Sequence, residues 1–246
     1  VMNVCKVIIE KTAPGGPDES NQFARGIAQL LTAYNLAVTT DMWGEVPWTE
    51  ALQGAAILQP KYDQQSTLYP LIQTYLDDAI ISFTAATNIS AVGDYIYAGD
   101  KAKWIKAAYS LKARYYLRLS NVDTNAASKA LTAITNGFGS SADAFMFKAY
   151  AATATGENPW VQFLADRTHL SVSSSFYNIM NTRNDPRIDK YFNKVGTAYV
   201  PAPNGTAILT QGGVYSTSAI TNSTTAGRTL PTPMMTFHEL KFIEAE

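Results

Sequence analysis

The sequence is poor in the residues that form disulfides and metal sites. It has one cysteine, Cys5, and two histidines, His169 and His238. A single cysteine cannot form an internal disulfide or a cysteine-clustered zinc site, and two distant histidines leave little metal chemistry. We therefore expect no metal or redox cofactor, and we expect Cys5 to be a small buried hydrophobe.

An excess of charge of either sign is also lacking. The 19 Lys and Arg residues nearly balance the 20 Asp and Glu residues, and the formal net charge is -1. Such a chain has no field that would gather the phosphates of a nucleic acid or anionic lipid headgroups. No stretch approaches the roughly 18 apolar residues of a membrane span. The sequence therefore argues against nucleic acid as a partner and against a membrane-spanning helix.

What the chain does have is a set of amphipathic segments. Apolar residues recur every three or four positions over residues 20–40, over 66–85, and in a third segment that Asp100 caps and that ends near Asn121. A fourth, Ala-rich helix is predicted over 124–135. Two further apolar stripes lie at 1–12 and at 237–246. The first has no capping residue before it and the second has no stop residue after it, so we expect helices that continue beyond this chain.

Helices with one apolar face must stack on their neighbours to bury it. With 46% hydrophobic residues among 246, the chain can bury a sizeable core. We predict a mainly α fold, in which helical hairpins form an irregular α-α superhelix with a loop-rich insertion. The consensus of the 34-residue tetratricopeptide repeat is not readable.

The character of the sequence changes after Gly137. Residues 196–232 hold a single charged residue, Arg228, and the short stretches 199–201 and 208–210 could be edge strands. We divide the chain into a helical scaffold at 1–137, a loop-rich, ligand-facing region at 138–232 and the start of a further scaffold helix at 233–246. Long polar loops on a rigid scaffold are where binding usually occurs.

Motifs for catalysis are weak. Residues 137–142 match the dinucleotide pattern G-x-G-x-x-G/A but follow a helix, whereas that motif needs a strand before it. His238 and Glu239 lack the second histidine of a zinc protease, and no G-x-S-x-G elbow occurs. Asp185 and Asp189 remain candidates for a carboxylate pair that hydrolyses sugars, although the interleaved basic residues favour an ion-pair network.

Aromatic residues are the remaining chemical signal: 14 Tyr, 10 Phe and 4 Trp. Flat rings stack on the apolar faces of sugars, while amides and hydroxyls bond their rims. Trp104 lies on a helical stripe and is predicted to be core, and Trp43 and Trp48 are predicted to seal the end of the first long helix as the chain turns at Gly44. Trp160 lies on no such stripe and is the first binding candidate.

Several segments together resemble the SusD/RagB family of Bacteroidetes. Residues 41–52, Asp-Met-Trp-Gly-Glu-Val-Pro-Trp-Thr-Glu-Ala-Leu, are similar to the family's D-x-W-G-D-V-P-[YW]-x-E-A-L stretch. Tyr109 stands where the family usually has Asn. The other segments that resemble the family's motifs, in the same order, are 60–65, 75–80, 94–100 with Lys103 and Trp104, 110–114, 184–187 and 239–246.

The resemblance implies tetratricopeptide-like helix pairs in a lipoprotein on the surface of the outer membrane. It implies that the protein captures oligosaccharides or polysaccharides for a SusC-like, TonB-dependent transporter, and that its lipid anchor lies outside this chain. The family's shared motifs are scaffold, so they mark no sugar-contacting residues. We expect any glycan platform of this chain in the loop-rich part, among Tyr150, Asn158, Trp160, Arg183 and Tyr215.

Two other functions remain open. A helical-repeat lid would bind only its transporter or a peptide and would have no affinity for sugars. A glycoside hydrolase would use Asp185 or Asp189. The glycan-binding module is the leading hypothesis, and it requires no enzymatic activity.

Overall fold

The computed structural model describes residues 1–167, 170–205 and 214–246, with the backbone alone at Arg167. Helices dominate the described residues, and one small two-stranded sheet accompanies them. The elements are α1 Met2–Lys11, α2 Gln22–Trp43, α3 Gln65–Ala85, α4 Lys101–Leu117, α5 Ala126–Ile134, β1 Phe145–Phe147, α6 Pro159–Arg167, α7 Ser174–Thr182, α8 Ile188–Tyr191, α9 Thr225–Arg228, β2 Thr232–Met235 and α10 Phe237–Ala245.

The chain divides into two compact units. The first unit comprises Val1–Met146 and Pro233–Glu246, and the second unit comprises Phe147–Thr232. Each unit has its own cluster of buried apolar side chains. We describe the two units separately.

The first unit confirms the mainly α, tetratricopeptide-like fold. Helices α2 to α5 correspond to the four predicted amphipathic segments, with ends that shift by a few residues. Each helix from α1 to α4 packs on the next one along the chain, as helical hairpins do. Asn21 caps α2 and Asp100 caps α4, each side chain accepting a hydrogen bond from a backbone N–H 3.2 Å away, at Ala24 and Lys103. Cys5 is buried, as expected.

Aromatic rings fill the middle of the first unit. Trp104 is 1% exposed, and its ring contacts those of Phe83, Tyr97 and Phe145 at centroid distances of 5.8, 5.2 and 5.7 Å. The indole Nε1–H donates to the Asp94 carboxylate at 2.8 Å. Trp104 is therefore core, as the helical stripe predicted.

The carboxylate of Asp94 also holds the turn that precedes α4. Besides Trp104 it accepts hydrogen bonds from the backbone N–H groups of Ile96, Tyr97 and Gly99, at 3.0, 3.0 and 2.8 Å. Burial raises the pKa of Asp94, but the hydrogen bonds together lower it by a larger amount. The pKa therefore lies below its usual value. One ionised side chain thus fixes both a turn and the central tryptophan.

Two sequence-based expectations about local structure were wrong. Trp43 is 67% exposed and does not cover the end of α2. The chain turns at Gly44, whose φ is +75°, so that Val46 and Trp48 pack against the core instead. Residues 199–201 form no strand, since Pro201 has no N–H to donate and the pairing nearby is limited to isolated bridges. The other suggested strand, 208–210, lies outside the described residues.

The close approach of α2 and α3 gives a first testable prediction. A methyl group at Gly26 would lie 2.7 Å from two ring carbons of the fully buried Phe83. Overpacking costs about 1–3 kcal/mol, whereas Ala gains about 1 kcal/mol over Gly in a helix. We expect Gly26→Ala to lower the free energy of unfolding by about 1 kcal/mol in a urea titration. Adding Phe83→Leu should make the combined loss smaller than the sum of the two single losses, and strict additivity would contradict this packing.

A second prediction concerns the pH dependence of stability. The pKa of Asp94 in the folded protein lies below the unfolded value of about 3.9, so its contribution is complete above about pH 4 and is lost as the pH falls through the folded-state pKa. We expect Asp94→Asn to lower the free energy of unfolding at pH 7 by about 1–3 kcal/mol. In urea titrations from pH 7 to pH 3, the difference from wild type should narrow below pH 4. Asp18→Asn, at an exposed position, is the control, and a pH-independent difference for Asp94→Asn would contradict the prediction.

Candidate functional site

The second unit is built on a small apolar core. Val172, Met180 and Phe192 are buried, and residues of α7 and α8 pack around them. Apart from this core, hydrogen bonds between loops connect the unit, among them Val172 N–H to Ser216 C=O and Ser216 N–H to Val200 C=O, both at 2.8 Å. So small a core leaves several large rings of the unit partly exposed.

These rings line a cavity of about 390 Å³, which we call the ring pocket. Its aromatic wall consists of Trp160 on α6, Phe176 on α7, and Tyr191 and Phe192 at the end of α8. Trp160 is 55% exposed and Phe176 is 49% exposed, while Phe192 is buried and contacts the Phe176 ring edge-on at 5.5 Å. The volume lies within the range of small-molecule sites, about 300–1,000 Å³.

Hydroxyl groups complete the lining of the ring pocket. Ser171, Ser173, Ser218 and Thr221 all line it. The Ser173 hydroxyl donates to Asn204 Oδ1 at 2.7 Å, and the Thr221 hydroxyl donates to Ser218 Oγ at 2.9 Å. Several of these hydroxyls are therefore held in place beside the rings. A wall of rings with a rim of hydroxyls suits a ligand that has both apolar faces and polar edges.

The first turn of α6 is fixed by a buried amide. Asn158 is 2% exposed, its Nδ2 donates to Leu230 C=O at 2.7 Å, and its Oδ1 accepts from the backbone N–H of Trp160 at 2.9 Å. Its own N–H donates to Arg228 C=O at 2.8 Å, and Arg228 also forms an ion pair with Glu157. The backbone that carries Trp160 is thus anchored although its ring is exposed.

The five residues singled out from the sequence do not all come together. Trp160 alone among them lines the ring pocket. Tyr150 donates to or accepts from Thr232 Oγ1 at 2.8 Å, and its ring contacts Phe147 at 4.8 Å. Arg183 is the exposed residue after α7, and Tyr215 is half-buried outside the pocket lining. A ligand contact by Tyr150, Asn158, Arg183 or Tyr215 stays a prediction.

Sequence reasoning missed Phe176 and Tyr191. Both lie in short helices inside the stretch that was predicted to be loop-rich, so no helical face was assigned to them. One signal available in the sequence was the cluster of four apolar or aromatic residues Phe176, Tyr177, Ile179 and Met180, of which the structure buries Met180. A helix with more apolar residues than its core contact requires indicates a second apolar surface.

The carboxylates suggested for hydrolysis are ion-paired. Arg187 binds Asp185 through Nε and Nη2, at 2.9 and 2.6 Å, and these bonds lower the pKa of Asp185 to about 2. Hydrogen bonding by Tyr199 and the charge of Lys194 lower the pKa of Asp189. Both groups are therefore ionised at neutral pH. A general acid in glycoside hydrolysis needs a raised pKa instead, so neither Asp fits that role.

A second cavity, of about 450 Å³, lies in the first unit. Trp48 and Tyr75 line it, with ring centroids 5.9 Å apart and the rings nearly perpendicular. Both rings are half-buried against the core, and Lys6 Nζ donates to Leu52 C=O at its edge. Its rings thus serve the core, whereas Trp160 and Phe176 remain available to a ligand. The ring pocket is the better candidate.

The described residues offer neither a metal cluster nor a membrane-spanning helix. Among residues 1–167, 170–205 and 214–246, no group of three or more His, Cys, Asp or Glu side chains is placed to hold a metal ion. In the same ranges, no helix combines the length and the apolar character that crossing a membrane requires.

Known structures resemble this fold over nearly the whole chain. A SusD/RagB family protein from Bacteroides thetaiotaomicron is 32% identical, with a TM-score of 0.87 over 99% of this chain and 52% of its own. A SusD homolog from Bacteroides uniformis is 25% identical, with a TM-score of 0.80 over 100% of this chain and 51% of its own. A chitin-binding SusD homolog from Flavobacterium johnsoniae is 20% identical, with a TM-score of 0.76 over 91% and 47%, and this likeness shows the fold alone.

The chain spans about half the length of these solved relatives. No curated protein matches it significantly in sequence. A family model does match, over residues 2–246, and the description of that family is "Starch-binding associating with outer membrane". Because the match covers almost every residue, the chain belongs to the SusD-like family.

Proposed function

We propose that this chain forms part of a surface protein that binds oligosaccharides, and that the ring pocket is its saccharide site. The observation that carries the proposal is the wall of exposed rings, Trp160 and Phe176, beside fixed hydroxyl groups. Sugar rings have apolar C–H faces that stack on aromatic rings and hydroxyl rims that exchange hydrogen bonds with serine and threonine. Such binding requires neither a metal nor a net charge.

The relatives support the same class of ligand. The family description names starch, and the Flavobacterium johnsoniae relative is a chitin-binding protein. Both polymers consist of six-membered sugar rings, which present the apolar faces that an aromatic wall accepts. The ionised state of Asp185 and Asp189 agrees with a protein that binds glycans without cleaving them.

We further propose that the protein is lipid-anchored at the outer membrane and passes its ligand to a SusC-like, TonB-dependent transporter. The family's described association with the outer membrane supports this location. A chain that binds sugars outside the cell needs a partner that carries them inward. The proposed anchor is a lipid outside the residues of this chain.

A second candidate is a lid or interaction protein that binds its transporter or a peptide and has no sugar affinity. The observation that favours it is a set of exposed apolar side chains in the first unit, close together in the chain: Met42, Trp43, Leu58 and Tyr62. Where exposed apolar side chains form one contiguous patch, such a patch is typical of protein contacts. Binding measurements separate the two candidates.

The third prediction tests the saccharide site through one ring. We expect Trp160→Ala to weaken glycan binding by about 10- to 100-fold, because a tryptophan at the centre of a binding site commonly contributes that much. Isothermal titration calorimetry with malto- and chito-oligosaccharides and a panel of plant, host and microbial glycans measures the loss. Trp43→Ala is the matched control, since it removes another tryptophan that is more than half exposed, from the other unit.

The outcomes distinguish the candidates. Equal loss in both tryptophan variants would point to a general effect and would contradict a site at Trp160. Binding that survives Trp160→Ala unchanged would move the saccharide site elsewhere. If no glycan in the panel binds the wild type, the lid function is favoured.

The fourth prediction tests the transporter. We expect affinity-tagged protein, solubilised from native outer membranes in mild detergent, to co-purify with a TonB-dependent transporter identified by mass spectrometry. Trp160→Ala should leave this co-purification unchanged, because the ring pocket serves the sugar. Loss of the transporter on deletion of residues 196–232, in a protein that binds no sugar, would support the lid function instead.

A further inference from the structure

A smaller cavity adjoins the ring pocket within the second unit. It has a volume of about 300 Å³, and Leu164, Ser218 and Thr221 line both cavities. Because three residues are shared, the two cavities adjoin each other on neighbouring faces of α6. We call this smaller cavity the amide pocket, after its polar lining of Asn193, Thr217, Asn222 and Ser223.

The amide pocket differs from the ring pocket in chemistry. Its lining contains no aromatic ring among the described residues, and its apolar part is Val161, Leu164 and Ala165 of α6. The remaining lining is made of amides and hydroxyls. The two adjoining cavities therefore offer a stacking surface and a hydrogen-bonding surface.

Hydrogen bonds hold the Asn193 side chain in place and leave its Oδ1 atom available to a ligand. Its Nδ2 donates to Thr217 Oγ1 at 3.1 Å and to Ser218 C=O at 2.9 Å, and its backbone N–H donates to Thr217 C=O at 2.9 Å. These bonds use both hydrogens of the amide. Within the described part of the chain, Asn193 Oδ1 accepts no hydrogen bond, so a fixed acceptor remains for a ligand.

Two hydroxyls add donors to this acceptor. Thr217 Oγ1 accepts from Asn193, which leaves its own hydrogen free to donate. The Ser223 side chain is exposed and has no hydrogen-bond partner in the described ranges. Asn222 is instead occupied locally, since its Nδ2 donates to Ala219 C=O and its Oδ1 accepts from Thr224. A fixed acceptor beside free donors matches the hydroxyls of a sugar ring, which both donate and accept.

We propose that the amide pocket is a second saccharide subsite, which binds the ring next to the one that stacks on Trp160. This inference rests on the proposed saccharide function of the ring pocket. It names the ligand more closely: a chain of two or more sugar rings whose first ring lies on the aromatic wall and whose next ring bonds Asn193, Thr217 and Ser223. A single sugar gains only the first set of contacts.

The fifth prediction is that affinity depends on ligand length and on the amide pocket. Two series serve as probes, glucose to maltotetraose and N-acetylglucosamine to its tetramer, titrated against the intact chain by tryptophan fluorescence and calorimetry. In whichever series binds, we expect the dimer or trimer to bind at least about tenfold more tightly than the monomer. Asn193→Ala and Ser223→Ala should each reduce that gain and leave monomer affinity unchanged.

The controls separate a binding effect from a folding effect. Asn178→Ala removes an exposed amide from α7, outside both pockets, and should change neither affinity. Asn193→Ala also removes hydrogen bonds within the unit, so thermal unfolding must accompany it. Ser223→Ala removes no such bond and stays informative even if Asn193→Ala unfolds.

Different binding results would overturn the second subsite and the proposed saccharide function. Equal affinity for monomer and oligomer, with binding still lost in Trp160→Ala, would overturn the second subsite and keep the ring pocket. A length gain that both Asn193→Ala and Ser223→Ala retain would likewise overturn it. No saturable binding of any ligand by the wild type would overturn the saccharide function itself.

Discussion

A buried tryptophan must find an acceptor for its indole N–H, and the first unit is arranged around that requirement. Trp104 meets it with the carboxylate of Asp94, which is itself kept ionised by three backbone N–H groups of the turn before α4. Once this pair is in place, the rings of Phe83, Tyr97 and Phe145 have a fixed surface to pack on. Helix α3, the turn before α4 and strand β1, which carry those rings, are thereby positioned.

Hydrogen bonds and ion pairs also join the segments that resemble the family's motifs. Asp63, from the second segment, accepts from the backbone of Trp48 and Thr49 in the first, both at 2.8 Å. Arg114, from the segment 110–114, forms two bonds of 2.6 Å with Glu239 of the segment 239–246 and so ties α10 to α4. These residues serve the scaffold. Their chemistry is used within the fold, so they identify the family and carry no information about the ligand.

The sequence predicted the scaffold much better than the site. The helices α2 to α5 follow from apolar periodicity and caps such as Asp100, because these signals are local. The site depends on contacts between distant positions. Phe176 looks like an ordinary helix residue, and only folding places it beside Trp160 and Ser218. The structural part of Asn158 was equally invisible in the sequence: its buried amide donates to Leu230 C=O and accepts from the backbone N–H of Trp160 at the start of α6.

The buried amide of Asn158 gives the exposed ring of Trp160 a physical rationale. Of the described side chains of α6, Val161 alone is fully buried, so packing contributes little to holding that helix in place. Hydrogen bonds of Asn158 with the segment 228–230 and with the backbone N–H of Trp160 fix its first turn instead, and they do so without covering the ring. A binding surface that is ordered before the ligand arrives loses less entropy on binding. A small core anchored by polar contacts can therefore present apolar rings to a ligand, where a larger core would have buried them.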